Sequence, residues 1–178
     1  MGAYAKLYRR SFLCAHGIRF PPTMYIEDRH FLLQCLVAGA RLAPLEAQVY
    51  HRHLRPDSTM RRVTLKHAMD ATGIYQLDVA LLERAGLLAA CGLQAAWATL
   101  MVDLYLARAI PADDTTVHDT LRGELTRQEE LFRRLPIPAP GRAVLGHAAG
   151  RLRRELAQGS RGFLATRIWL RLVRLLAT

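Results

Sequence analysis

The sequence predicts an α+β protein that is mainly α: two helices and a short two-stranded element over residues 1–60, followed by a helical bundle as an extension over residues 61–178. Three observations carry this expectation. The chain has 178 residues, 51% of them hydrophobic, enough to bury one compact core or two small ones. Up to Ser58 the texture is mixed, with glycine and proline between short periodic segments. Beyond Ser58 the long segments repeat their apolar residues at helical spacing.

Ala3 to His16 reads as a helix that Gly17 stops, because glycine reaches the left-handed turn that ends such segments. The prolines of "IRFPPTM" prevent its continuation. From Glu27 to Gly39, Phe31, Cys35 and Ala38 recur beside Leu32 and Leu36, which makes a broad apolar face and a second helix. "ARLAPLEAQVYHRH" loses that period, so Ala40 to Pro44 and Gln48 to His53 are expected as two short strands before the loop "LRPDS". Helices are then expected over about Thr59 to Arg84, Leu87 to Ala109, Thr115 to Leu135, Arg142 to Gln158 and Phe163 to Ala177. Asp113 or Asp114 stands where a carboxylate can accept the orphan N–H groups of the helix beginning near Thr115.

The net charge of +10 arises from 25 basic and 15 acidic residues, and only Lys6 and Lys66 among the basic ones are lysines. A composition so rich in Arg, Ala and Leu can record the base composition of a genome, yet a field of this sign still favours anionic partners. Specific nucleic-acid binding is not expected, because the arginines are spread over many helices without aromatic platforms or a groove-reading helix. Cys14, Cys35 and Cys91 are odd in number and far apart, which argues against a disulfide framework or a zinc site and for a reducing, cytoplasmic setting. Lys6, Arg9 and Arg10 interrupt the N-terminus, so no signal peptide is read there, and roughly 18 uninterrupted apolar residues occur nowhere.

The last helix offers a route to the inner face of the cytoplasmic membrane. In Gly162 to Thr178, Arg167, Arg171 and Arg174 form one polar stripe and the rest of the circumference is apolar, a pattern suited to lying among headgroups. The same pattern suits a helix closing the bundle, and periodicity does not choose between the two.

Several chemistries lack sequence support. "GRAVLGHA" has phosphate-loop glycine spacing, but His147 and Ala148 replace the required Lys and Ser or Thr. HExxH, GxSxG and a GxGxxG after a strand do not occur. What remains is "MYIEDRHFLL", where Glu27 and Asp28 open an apolar helix. Acids there are favoured by the helix dipole, which by itself accounts for them. The same position aims a carboxylate off the helix end, as a base receiving a proton from an alcohol requires.

Four motifs in order add a second line of argument: Lys6 to Leu13, Gly17 to Phe20, Glu27 to Phe31 and Tyr50 to Ser58. Together they resemble the second half of a family 2 glycosyltransferase of the GT-A fold, which has segments like K-L-Y-R-R-x-F-L, G-I-x-F, E-D-x-x-F and Y-x-x-x-x-R-x-x-S. The resemblance implies that residues 1–60 are a remnant of a GT-A α/β domain. It implies inverting transfer of a sugar from a nucleotide-sugar donor to a glycan acceptor hydroxyl, in the synthesis of surface polysaccharide or a related glycoconjugate. Asp28 would be the general base and Glu27 its flanking partner. Arg55 and Ser58 would meet the diphosphate, with Arg52 and His53 standing where members commonly carry an aromatic residue and then Arg. A divalent metal, Mn or Mg, is implied as cofactor, with His51 as a candidate ligand. Its other ligands belong to an N-terminal half with a D-x-D motif, and these 178 residues contain no D-x-D. The expectation is therefore a truncated acceptor-side half, inactive alone. A basic helical module that binds a membrane surface, a partner protein or nucleic acid is the alternative.

Overall fold

The computed structural model describes residues 3–47, 50, 51, 53, 63–111 and 114–158, which form six helices. They are α1 (Arg10–Ala15), α2 (Glu27–Val37), α3 (Leu65–Arg84), α4 (Leu88–Ala109), α5 (Thr115–Arg134) and α6 (Ala139–Gln158). The chain is mainly helical, as its periodicity requires.

The last four helices make a bundle in which α3 packs on α4 and α5, and α6 packs on the same two. Every helix contributes residues at spacings of three and four: Ala68, Ala71 and Tyr75 from α3, Ala96, Leu100 and Leu104 from α4, Leu121, Leu125 and Phe132 from α5, Leu145, Ala149 and Leu152 from α6. Tyr75 meets Phe132 edge-on at 5.3 Å, the arrangement that ring quadrupoles favour. By length and composition α4 could cross a bilayer, yet it also buries Thr99 and Asp103 inside the bundle, where α3 and α5 cover them. It is a core helix.

A second, smaller core holds Ile18, Phe31 and Cys35, with Tyr8, Phe12 and Leu13 packed against it. Its link to the bundle is α2, which packs on α3 with its other side.

Several element ends differ from the expected ones for identifiable reasons. The first helix begins at Arg10 rather than Ala3, because Tyr8 turns its ring edge onto Phe31 and gives its hydroxyl proton to the Ala3 carbonyl at 2.9 Å. Tertiary packing there overrides local propensity. Gly17 follows at φ +61°, the left-handed stop expected of it. The third helix starts at Leu65, since extended Thr64 precedes it and binds back to His67. The sixth starts at Ala139, ahead of the expected Arg142, because Pro140 is harmless in a first turn whose N–H groups lack helical partners anyway. Asp114 caps α5, its Oδ1 accepting the Val117 N–H at 3.1 Å.

The two-stranded element is not formed among the described residues. Residues 40–46, and Tyr50, His51 and His53, are neither strand nor bridge, and Leu42, Leu45 and Tyr50 are exposed. A ribbon of two strands in water is marginal unless one face finds a core, and here only Ala40 packs on the smaller core while Tyr50 meets Tyr4. The expected helix from Phe163 to Ala177, and with it the membrane stripe, lies outside the described residues.

Candidate functional site

The path into α2 is strained and pinned. Thr23 and Ile26, both β-branched, hold φ of +60° and +67°, a conformation that costs such residues about 1–3 kcal/mol each. Between them Tyr25 supplies the restraint. Its N–H donates to Asp70 Oδ2 at 2.7 Å, and its ring stacks on His67 with centroids 3.8 Å apart and planes within 2°. Lys66 sits 2.6 Å from the same Asp70 oxygen and 5.2 Å from the Tyr25 ring centroid. The His67 Nδ1 accepts from the Thr64 N–H and hydroxyl at 3.2 and 2.9 Å. Burial lowers the His67 pKa, which favours the neutral imidazole that this acceptor role needs.

Arg29 and His30, further along α2, are anchored in the bundle. Asp78 on α3, 1% exposed, accepts from Arg29 Nη2 at 2.6 Å and from His30 Nδ1 at 2.8 Å. Arg29 also donates to the Thr99 hydroxyl of α4 at 2.8 Å. Deeper in, Gln128 Nε2 of α5 donates to Thr72 at 3.0 Å and to Asp103 Oδ1 at 3.4 Å, while Asp103 Oδ2 has no partner among the described residues.

Burial therefore pushes the Asp103 pKa up from 3.8 to about 7, with Gln128 and Arg29 opposing and the Glu124 charge adding. A raised carboxyl pKa makes the folded state bind more protons than the unfolded state between these values. Its contribution is fully present below about pH 4 and is lost as pH rises through about 7, up to about 4 kcal/mol in all. Asp103→Asn, which keeps an acceptor for Gln128, is expected to lack this loss. In urea unfolding at a series of pH values, its stability relative to the native chain should rise from about pH 4 to about pH 7 and then level off. A difference that stays constant with pH would contradict burial of an ionisable Asp103.

With Arg29 and His30 turned inward, Glu27 and Asp28 stand half-buried in the first turn of α2. Among the described residues no hydrogen bond or ion pair engages either carboxylate, and Ile26 supplies no side-chain cap. The dipole still favours acids here, but neither acid makes a capping hydrogen bond. Asp28 shares a helical face with Phe31 and Cys35, three and seven residues on. That face meets Tyr8, whose pKa is raised by burial first and then by the charges of Cys35 and Asp28. Beside it runs an open groove of about 490 Å³ lined by Tyr8, Arg10, Ile18, Arg19, Phe20 and Phe31.

Of the other expected site residues, only His51 and His53 are described. His51 and His53 are exposed and share no described hydrogen bond or ion pair with Glu27 or Asp28. Arg52, Arg55 and Ser58 lie outside the described residues. Among the described residues no group of three His, Cys, Asp or Glu side chains could hold a metal ion. Sequence reasoning missed Arg29, His30, Asp78 and Asp103. A signal existed: Asp78 falls between Ile74 and Leu82, and Asp103 between Thr99 and Ala107, each four residues apart on a face that is otherwise buried.

Fold and site define a mainly helical protein whose second helix, clamped on a bundle, presents two carboxylates without described protein partners beside an aromatic groove. Comparison with protein-family models, curated proteins and solved structures finds no match.

Proposed function

We propose that the chain is the acceptor-side part of an inverting glycosyltransferase of family 2, with Asp28 as its general base. One observation carries the reading: Asp28 has no described partner to satisfy it, while the residues on either side of it along the chain are fixed through Tyr25, Arg29 and His30. A base must be held in place and left available, and these anchors support that reading. Asp28 takes the acceptor hydroxyl proton as that oxygen bonds to the anomeric carbon and the nucleotide diphosphate departs from the opposite face. Glu27, its neighbour in the same turn, orients the acceptor.

The donor side is assigned to residues 52–58, of which His53 alone is described. The leaving diphosphate needs cations and hydrogen-bond donors, for which Arg52, His53, Arg55 and Ser58 are the candidates. His51 would supply one ligand of a divalent metal, and the other ligands would come from the donor-binding half. Leu7, Leu42, Leu45 and Tyr50 are exposed on the N-terminal part, and a donor-binding half is expected to pack there. The 178-residue chain is expected neither to bind nor to hydrolyse UDP-glucose in the presence of manganese. Isothermal calorimetry checks this, and micromolar binding would place a donor site within these residues.

A further inference from the structure

The groove beside α2 has its own recognition chemistry. Phe31, 4% exposed, forms the floor, and Phe20 lies parallel to it at 4.1 Å and 4°. Tyr8 supports the floor edge-on at 5.1 Å. Phe20 remains 49% exposed, so a large apolar ring is held in place without cover. What holds it is a two-point clasp: Gln34 Nε2 donates to the Arg19 carbonyl at 2.8 Å, and the Arg19 N–H donates to Gln34 Oε1 at 3.4 Å. Fixing the backbone before Phe20 lowers the ordering cost that a ligand would otherwise meet.

The charges are one-sided. Arg10 and Arg19 line the groove and are exposed, and no carboxylate is among the lining residues. Asp28, whose charge reaches Tyr8, is not among the lining residues. A groove of about 490 Å³ takes one or two sugar rings. The C–H groups of a sugar face carry small positive charge and suit the negative face of a phenyl ring. A guanidinium suits a carboxylate through paired N–H donors. A nucleotide would also stack through its base, so UMP is the competing probe.

We infer that this groove binds an acidic sugar, with a C–H face on Phe20 and its carboxylate met by Arg10 and Arg19. The inference stands on the groove and does not require the transfer chemistry. Backbone amide NMR of the full 178-residue chain tests it, with digalacturonate, galactobiose and UMP as probes. Digalacturonate should shift the signals of Cys14, Arg19 and Phe20 saturably, and galactobiose should bind at least about tenfold more weakly. The double variant Arg10→Gln, Arg19→Gln should reduce digalacturonate to the galactobiose level. Phe20→Ala, at an exposed position that the fold can spare, should abolish binding of both. Equal binding of the two disaccharides, tighter binding of UMP at the same residues, or no shift in the groove would overturn the inference. Because the readout is binding by a chain that is not expected to transfer sugar, failure of the transferase reading and failure of this one are separable.

Discussion

Replacing Asp78 with alanine is expected to destabilise the protein by about 3–5 kcal/mol, the range seen when one partner of a buried ion pair is removed. Two donors depend on this one carboxylate, Arg29 at 2.6 Å and His30 at 2.8 Å, and Asp78 itself is 1% exposed. After truncation the Arg29 guanidinium stays largely buried with only the Thr99 hydroxyl and the Ala95 carbonyl as described partners. Against a typical total stability of about 5–15 kcal/mol, that loss is severe. Asp78→Asn, which keeps an acceptor oxygen, should cost less. Urea unfolding ranks the two, and hydrogen exchange adds a local readout, since α2 should lose protection first in both. A loss below about 1 kcal/mol for the alanine variant would mean that the pair does not hold α2 to the bundle.

The second large effect concerns chemistry. In this chain joined to a donor-binding half, Asp28→Asn is expected to lower turnover about 100-fold or more, the range for loss of a positioned proton acceptor, with donor affinity little changed. The asparagine keeps the shape but cannot take the proton. Glu27→Gln should cost less, as an orienting group does. Since neither acid makes a described hydrogen bond or ion pair, Asp28→Asn should change stability by less than about 2 kcal/mol, the limit of a partly buried helix-end charge. Turnover and melting temperature therefore separate the two roles. Near-normal turnover with a lowered melting temperature would leave Asp28 as a helix-end charge and nothing more.

The acids of this site are legible in the sequence because they stand next to each other at the start of an apolar period. Their mounting is not. Arg29 and His30 read along the chain as two more polar residues of the same turn, and only the packing of α2 on α3 brings His30 to Asp78, 48 residues away. Tyr25 and Asp70, 45 residues apart, are hidden in the same way. A different cause lies behind the expected strands at Ala40 to Pro44 and Gln48 to His53. Loss of helical period suggests a strand, but a strand pair also needs a face to bury, and alternation alone cannot supply one.

By itself the sequence determined the properties that act within one or two turns: where helices run, the Asp114 cap, and the Gly17 stop. Helical period and end chemistry are interactions between residues at most about four apart, so they survive without knowledge of the fold. Tertiary structure alone decided which polar residues became anchors and which stayed available. Asp78 and Asp103 are chemically the same side chain as Asp28. The first is ion-paired, the second is held toward its neutral form, and the third stands on the face beside a groove, because each sits at a different depth and beside a different helix. Burial and distant partners set the behaviour of a carboxylate, and neither is a property of its neighbours along the chain.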